Sequence, residues 1–364
     1  MKKKDKMKRL GILLLALTAI TVIITFVIVM NLSDPTDQKG QQQEQFDDSY
    51  SGWIRNVYIM SNKDNEIIIL YDKTNYIAKG TAQNDYTGVA DIELSHGKIT
   101  RILAKPDGIE GILDRYSETE VQIKDYEALS YDDTLPVYVV ADSANVRQPV
   151  HQIAMSDLVI GNSKVKLIVA DEKACAVVQY SKDIANNIRV LLKNGNNITY
   201  SDLYIKSNKT YTVNEKKVKA KKLTKVSSYL KGKKNGEEIC ISPATGKLFI
   251  CNRKGKKLAE AYEGNFIVRK ETGGYVLINE LSVEDYVRYV LPSEMPLGFS
   301  YEALKAQAVC ARTFAYGQMH NQAYAQYGAN LDNTTAYQVY HATTTYDVTD
   351  QAVQDTSGMV LTYD

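Results

Sequence analysis

Short runs of apolar residues, several alternating with polar ones, recur along the first half of the chain. They occupy residues 57–60, 66–71, 89–93, 119–123 and 136–140. Gly, Asn and Asp residues separate them, as is typical of the turns between β-strands. The pattern predicts a small, barrel-like all-β module over residues 49–163.

A second β-rich region follows from about residue 165 to 280. In it, residues 238–242 and 247–251 flank Pro243-Ala-Thr-Gly246, which is a hairpin signal. If the two runs pair as this hairpin, Cys240 and Cys251 face each other across the strands. A disulfide between them is permitted outside the cytoplasm. Two reduced thiols remain the alternative. The four cysteines show no Cys-x-x-Cys spacing, so a structural zinc site is not predicted.

The last region has a helical pattern. Ser282 begins a capping box and opens a short helix over residues 283–290, which Leu291-Pro292 is expected to stop. Ser300 then caps a long helix beginning at Tyr301. One face of this helix is apolar and almost entirely alanine, at Leu304, Ala308, Ala311 and Ala315. The whole pattern indicates an α+β fold, with a mixed β-rich domain that carries a long alanine-rich helix.

The amino terminus has the pattern of a membrane anchor. Residues 1–9 are strongly basic, and residues 10–30 form an uncharged apolar run of roughly 30 Å as a helix. Basic residues stay on the cytoplasmic side, so the rest of the chain is expected to face outward as a single-pass membrane protein. A cleavable signal peptide is the rival interpretation. The run exceeds the usual roughly 7–15 residues, and residues 29–33 lack a small-x-small cleavage site. Residues 31–48 are polar and predict a flexible linker.

The amino-acid composition of the chain indicates which kinds of molecule it could bind. The chain has 26 tyrosines against one tryptophan, which suits half-buried strands and also carbohydrate-binding surfaces. Without residues 1–9, the 44 basic and 43 acidic groups become 38 and 42. This mild negative balance argues against nucleic acid as the main partner.

One stretch departs from that balance. Residues 216–234 contain nine lysines and no acid. A solvated face explains such a run without any function. The functional alternative is an electrostatic contact with an anionic polymer such as cell-wall glycan.

The candidate chemistry lies at Glu294, between Pro292 and Pro296. Four apolar side chains are expected to shield its carboxyl from water: Leu291, Met295, Leu297 and Phe299. Shielding favours the protonated form of a carboxyl, which can then donate to a leaving oxygen. Lys305 and Arg312 are seven residues apart, hence on one helix face, and could hold carboxylates of a substrate. The alternative is an acid at a helix start and two solvated cations.

Three sequence blocks resemble the stage II sporulation protein D (SpoIID) family, which includes amidase enhancers. They are Asn279-Glu-Leu-Ser-Val-Glu-Asp-Tyr286, Leu291-Pro-Ser-Glu-Met-Pro296, and the run from Glu302 to Ala315. Ala336-Tyr-Gln-Val-Tyr340 and Thr356-Ser-Gly-Met-Val-Leu361 continue the resemblance. It covers about residue 188 to the end and assigns residues 164–364 to a domain of this family.

The resemblance implies a peptidoglycan lytic transglycosylase, which cuts between N-acetylmuramic acid and N-acetylglucosamine and leaves a 1,6-anhydro sugar without using water. Glu294 matches the catalytic acid of the family. Lys305, Arg312 and, more weakly, Gln307 match positions of its cleft. Some relatives carry a metal-associated cysteine before Gln-Val-Tyr. Tyr337 stands there in this chain, so neither a metal nor another cofactor is predicted.

The resemblance also implies the partners. They are glycan strands stripped of peptide stems, with a cell-wall amidase or an engulfment complex as protein partner. A non-catalytic glycan-binding enhancer of an amidase is the alternative function. Family members continue beyond the position that corresponds to Asp364, so the domain is expected to be incomplete at its carboxyl end.

Overall fold

The computed structural model describes residues 44–362, apart from residues 64, 81–85, 142–149, 162–164, 181–185, 260, 321–322 and 341–343. The predicted basic segment 1–9, the predicted membrane anchor 10–30 and most of the predicted linker 31–48 lie outside the described residues. Among the helices of the described part, none combines the length and apolar character needed to span a membrane.

The first unit is a six-stranded sheet with the order β1-β4-β3-β2-β5-β6. Its strands are β1 (Glu44–Gln45), β2 (Gly52–Lys63), β3 (Glu66–Tyr71), β4 (Thr74–Lys79), β5 (Gly88–Ser95) and β6 (Lys98–Ala104). Alternating residues such as Ile59, Ile69 and Ile92 are fully buried and form its core. Strand β1 pairs with β4, so regular structure is already present at Glu44, within the predicted linker.

Two further sheets follow. One has three strands in the order β10-β9-β8, and the other has five strands in the order β12-β11-β14-β13-β7. Their strands are β7 (Gly108–Gly111), β8 (Leu113–Tyr116), β9 (Glu120–Ile123), β10 (Leu129–Ser130), β11 (Val137–Val140), β12 (Val150–Ile153), β13 (Val165–Ala170) and β14 (Lys173–Gln179). Strand β13 pairs with β7, and β14 pairs with β11. Strands from both sides of residue 163 therefore share one sheet, and the amino-terminal β-rich part extends to Gln179.

The last unit contains an eight-stranded sheet and a three-stranded sheet. The first has the order β19-β18-β21-β23-β24-β15-β25, with β16 also on β24, and the second has the order β20-β17-β22. Their strands are β15 (Asn187–Leu191), β16 (Thr199–Tyr200), β17 (Tyr204–Ser207), β18 (Tyr211–Val213), β19 (Lys216–Val218), β20 (Thr224–Lys225), β21 (Glu238–Ser242), β22 (Leu248–Cys251), β23 (Asn265–Glu271), β24 (Gly274–Ser282) and β25 (Leu331–Asp332). Short 3₁₀ turns occupy Met155–Asp157, Val226–Ser228 and Ala325–Tyr327.

The predicted hairpin between β21 and β22 is wrong. Strand β21 pairs with β18 and β23, whereas β22 pairs with β17 in the other sheet. The turn at Pro243–Gly246 thus carries the chain from one sheet to the next. Cys240 and Cys251 are both free thiols, and burial raises the pKa of each.

Three α-helices cover the eight-stranded sheet at one side: α1 (Val283–Glu294), α2 (Tyr301–Gln318) and α3 (Asp347–Asp355). Both predicted caps are confirmed: Ser282 accepts a bond from the Asp285 N–H, and Ser300 from the Ala303 N–H. The predicted alanine face of α2 is also confirmed, because all four of its residues are buried in the common core. In the part of the chain that the structure describes, the architecture is β-rich with three α-helices, in agreement with the α+β prediction.

A buried ionic junction joins the two halves of the chain. Asp114, on β8, accepts a bond of 2.8 Å from Arg189 on β15 and also bonds Arg269 on β23. The Arg189 Nε donates to Glu280 at 2.7 Å, and Arg269 donates to Glu238 at 2.6 Å. Both guanidinium groups and Asp114 are almost fully removed from solvent. A buried ion-pair cluster centred on Asp114 therefore joins the amino-terminal β-rich part to the carboxyl-terminal sheet.

Candidate functional site

Glu294 is the last residue of helix α1, not a residue of a loop between two prolines. The prediction that Leu291-Pro292 ends the helix is wrong, since Pro292 lies inside it. Proline removes one helical hydrogen bond and crowds the preceding turn. Here Val290 and Leu291 are fully buried, and their packing outweighs that cost. The Met295 N–H donates to the Leu291 carbonyl at 3.0 Å and closes the last turn beyond the proline.

The predicted apolar shield is only partly present. Leu291 is buried in the core, and Met295 packs against it from the edge. Leu297 and Phe299 remain 40% and 43% exposed, so the prediction that they cover the carboxyl is wrong. The turn after Pro296 carries both side chains away from the core. Glu294 itself is exposed, and its carboxyl is open to a large polymeric ligand.

A second segment fixes the direction of the Glu294 side chain. The backbone N–H of Val339 donates to the Glu294 Oε1 at 2.7 Å. This bond connects two of the sequence blocks that carry the family resemblance, 45 residues apart. A backbone donor holds an ionised carboxylate well. It leaves the second carboxylate oxygen available for a ligand.

Tyr340 anchors that second segment in the core. Its ring is fully buried and stacks on Tyr286 of α1, with ring centroids 5.2 Å apart. Its hydroxyl donates to the Asn279 side chain at 2.7 Å. Asn279 in turn donates to the carbonyls of Glu263 and Asn265. The Val339 N–H is therefore held by a rigid aromatic and amide network and not by a mobile loop.

A polar cluster beside this segment was not identified from the sequence. Asp332 is buried and accepts bonds from the Tyr324 hydroxyl at 2.7 Å and from the N–H and hydroxyl of Thr334. Burial alone would raise the pKa of Asp332, but the bonds from Thr334 and Tyr324 outweigh it and lower the pKa. The Asp-x-Thr spacing, which favours a local side-chain turn, is the signal that could have pointed to it.

The hydroxyl of Tyr286 lies in the field of both acidic side chains. Burial chiefly raises its pKa, and the charges of Glu294 and Asp332 raise it further. It is also buried without a hydrogen-bond partner among the described residues. Tyr286 therefore stays neutral throughout the physiological pH range.

Lys305 and Gln307 lie on helix α2 and are both half-buried. The Lys305 ammonium pairs with Glu302 at 2.9 Å and lies 5.4 Å from the centre of the Tyr301 ring. Within the described part of the chain, no hydrogen bond or ion pair joins Lys305, Gln307 or Arg312 to Glu294. Their role in substrate binding stays a prediction.

Arg312 is placed differently from Lys305. Its guanidinium is fully buried and forms two bonds of 2.7 Å with the Glu284 carboxylate of α1. It also donates to the carbonyls of Met359 and Val353. Every face of the guanidinium is thus occupied within the protein. Arg312 joins α1, α2, α3 and the segment after α3, and so holds the helix that carries Glu294.

We expect Arg312→Met to lower the free energy of unfolding by about 2 kcal/mol, because charged hydrogen bonds are lost at a buried position. Lys305→Met is the matched control on the same helix, and its half-exposed ion pair contributes less than about 1 kcal/mol. Urea denaturation of both variants measures the difference. Wild-type stability of Arg312→Met together with lost glycan binding would contradict the structural role.

No group of three or more His, Cys, Asp or Glu residues in the described part of the chain is arranged to hold a metal ion. His341, next to the Gln-Val-Tyr motif, lies outside the described residues. The absence of a metal or other cofactor remains a prediction from the sequence.

Comparison with known proteins confirms the family resemblance. Residues 271–363 match the family model for SpoIID, described as stage II sporulation protein. The stage II sporulation protein D of Bacillus subtilis is 39% identical over 101 residues, or 24% of this chain and 29% of that protein. The amidase enhancer of Bacillus subtilis is 42% identical over 74 residues, or 20% of this chain and 9% of that protein.

An uncharacterized protein of Brachyspira hyodysenteriae is 44% identical over 80 residues, or 22% of this chain and 22% of that protein. The chain thus covers less than a third of the length of these relatives. No solved structure matches the chain. The matched region contains α1, α2 and the Gln-Val-Tyr segment, and so includes both Glu294 and Val339.

Proposed function

We propose that this protein is a lytic transglycosylase of the bacterial cell wall, acting on glycan strands from which the peptide stems have been removed. The observation that supports this most is the single exposed carboxyl of Glu294, oriented by the Val339 N–H within the region that matches the sporulation family. One oxygen of the carboxyl accepts this bond, and the Glu294 side chain is exposed. That is the arrangement a proton-transferring group needs at the bond of a long polymer.

Glu294 serves as acid and then as base in this proposal. In its protonated form it gives its proton to the glycosidic oxygen as the bond from that oxygen to the anomeric carbon of the muramyl sugar breaks. The carboxylate then accepts the proton of the muramyl 6-hydroxyl, whose oxygen bonds to the anomeric carbon. The products are a 1,6-anhydro end and a free hydroxyl on the departing sugar. No water is consumed, so the second carboxylate of most glycosidases is not required.

The remaining residues have supporting roles. Val339 donates to the carboxylate form and steadies it between the two proton transfers. Lys305 and Gln307, half-buried on α2, are proposed to bind the glycan. Arg312, enclosed by Glu284 and two carbonyls, is proposed to position α1 and not to touch the substrate.

Membrane attachment belongs to the same proposal. Residues 1–30 carry the pattern of an uncleaved anchor with the basic side in the cytoplasm. The glycan-cleaving domain would then face the cell wall, in sporulation and engulfment or in general wall remodelling. A cell-wall amidase is the proposed protein partner, since removal of peptide stems must precede cleavage of stem-free glycan.

A non-catalytic enhancer is the second candidate function. It is favoured by the similarity to an amidase enhancer and by the exposure of Glu294, whose predicted apolar cover is incomplete. In this case the protein binds glycan and stimulates the amidase, while Glu294 has no chemical task.

Purified stem-free glycan strands separate the two functions. The protein is incubated with the strands alone, and the new chain ends are identified by mass spectrometry. We expect 1,6-anhydromuramyl ends without any partner protein. Binding without new ends, together with faster peptide removal when an amidase is added, would favour the enhancer.

A further inference from the structure

Two basic segments form one surface on the carboxyl-terminal unit. The first contributes Lys216, Lys217, Lys219, Lys221, Lys222 and Lys225, and the second contributes Arg253, Lys254, Lys256 and Lys257. All ten side chains are exposed. We call this set the basic surface. Its first segment lies within the lysine-rich stretch 216–234, and the second is a separate basic run with four cations in residues 253–257.

The three-stranded sheet brings the two segments together. Strand β17 pairs with β20 on one side and with β22 on the other, so Tyr204 lies between Lys225 and Cys251. The loop after β22 then folds back, since Cys251 also forms a bridge with Lys257. The Leu223 side chain is in van der Waals reach of Gly255, at the middle of the second segment. The Lys206 ammonium donates to the Gly255 carbonyl at 2.7 Å and fixes the loop there.

The charge of the basic surface is almost uncompensated. Neither segment contains an acidic residue. Among the described residues, its ten cations make a single ion pair, between Lys225 and Asp202 at 3.2 Å. Like charges this close repel one another and weaken the folded state slightly. Such a surface is favourable when a polyanion neutralises it.

Aromatic rings lie directly beneath the cations. The Lys257 ammonium is 3.7 Å from the centre of the Phe249 ring, and the Lys225 ammonium is 5.9 Å from that of Tyr204. Cation–π contacts of this kind restrict the side chains of Lys257 and Lys225 to positions over the sheet. The half-exposed Tyr204 also provides a face on which a sugar ring can stack.

We propose that the basic surface binds the carboxylates of stem-free glycan strands and delivers the strand to Glu294. The inference rests on the proposed function and extends it to the selection of substrate. A peptide stem occupies the lactyl carboxyl of each muramyl sugar, and removal of the stem leaves a free carboxylate there. Stem-free strands therefore carry a regular row of carboxylates directly on the muramyl sugars, whereas intact strands hold these carboxyls as amides. The basic surface recognises that difference.

The fold connects the basic surface with the candidate site. Strand β22 begins directly after Lys247 and ends at Cys251, under the basic surface. The Lys247 ammonium donates to the hydroxyl of Tyr289 on α1, the helix that ends at Glu294. A four-residue strand spans roughly 13 Å. A glycan of a few disaccharides is long enough to cover that length.

The test compares two triple variants of the full chain with the same change in charge. Lys222→Gln/Lys254→Gln/Lys256→Gln removes three of the ten positive charges of the basic surface. Lys63→Gln/Lys79→Gln/Lys98→Gln neutralises three exposed lysines of the amino-terminal sheet and is the control. Affinity is measured for stem-free strands, for the same strands with carboxyls converted to methylamides, and for polyglycerol phosphate.

We expect the basic-surface variant to bind stem-free strands about tenfold more weakly at low ionic strength, with a smaller difference at high salt. The control variant should bind as the wild type does, and methylamide strands should bind all three proteins weakly. Equal losses in both variants, or undiminished binding of methylamide strands, would overturn the proposal. So would tighter binding of polyglycerol phosphate than of glycan, which would indicate a phosphate polymer as the ligand.

The outcomes for the surface and for the enzyme are separable. Glycan binding through the basic surface without any 1,6-anhydro product supports the surface and rejects the transglycosylase. Product formation with unchanged affinity in the basic-surface variant rejects the surface and leaves the transglycosylase intact.

Discussion

Glu294→Gln is expected to lower the rate of 1,6-anhydro product formation by about 10²–10⁴-fold, the usual contribution of a general acid and base. Glutamine keeps an oxygen that can accept the Val339 N–H bond but cannot transfer a proton. The side chain is exposed, so the free energy of unfolding should change by less than about 0.5 kcal/mol. Affinity for stem-free glycan should also be retained.

Glu302→Gln is the matched control for this experiment. Glu302 is an exposed acid in the first turn of α2, close to Glu294 along the chain, and pairs with Lys305. Its replacement should leave the rate within about twofold of the wild type, because a surface ion pair contributes little. Wild-type product formation by Glu294→Gln would remove Glu294 from the mechanism.

Asp114→Asn is expected to lower the free energy of unfolding by about 3 kcal/mol or more, the usual cost of removing one partner of a buried ion pair. The asparagine preserves the shape of the side chain but leaves Arg189 and Arg269 with one carboxylate fewer at a buried site. The remaining partners, Glu280 and Glu238, cannot balance both cations equally well. Thermal and urea denaturation measure the loss.

The control for Asp114 is Asp132→Asn. Asp132 pairs with Lys173 at 2.6 Å, but the two side chains are 82% and 49% exposed. Water already solvates these charges, so Asp132→Asn should change the free energy of unfolding far less than Asp114→Asn does. A similar small effect at both positions would show that the buried junction does not stabilise the fold.

The junction also predicts a pH dependence. Burial alone would raise the pKa of Asp114, but Arg269 and Arg189 outweigh it and hold the pKa below its ordinary value. The stabilisation is therefore complete above the unfolded pKa of about 4 and is lost as the pH falls through the lower folded value. Burial raises the pKa of Glu238, so the contribution of Glu238 to the stability of the fold changes with pH in the opposite direction. The difference between wild type and Asp114→Asn isolates the Asp114 contribution, which should shrink below about pH 4.

Local signals in the sequence predicted much of the helical region. The caps at Ser282 and Ser300 and the alanine face of α2 depend on neighbouring residues, and the structure confirms them. The short strands of the first half were also predictable, because alternation with period two is a local property. Glu294 was identified through resemblance, and its contact with Val339 follows from two matched blocks meeting in space.

Long-range pairing explains what the sequence did not predict. Pro292 remains in α1 because Val290 and Leu291 are buried by distant parts of the chain. Strands β21 and β22 belong to different sheets, although a turn signal lies between them. The bonds of Arg312 with Glu284 and with residues 353–359 are also long-range contacts, which spacing along one helix does not reveal. The basic surface likewise combines two segments that are separated along the chain by β21 and β22.

Whether oxygen from water enters the product shows directly whether Glu294 cleaves the glycan without water. Stem-free glycan is digested in water enriched in ¹⁸O, and new muramyl ends are analysed at once by mass spectrometry. We expect the wild type to produce ends that are lighter by one water than a reducing end and carry no ¹⁸O, and Glu294→Gln to produce no new ends. Muramyl reducing ends labelled with ¹⁸O would contradict it, because they require hydrolysis.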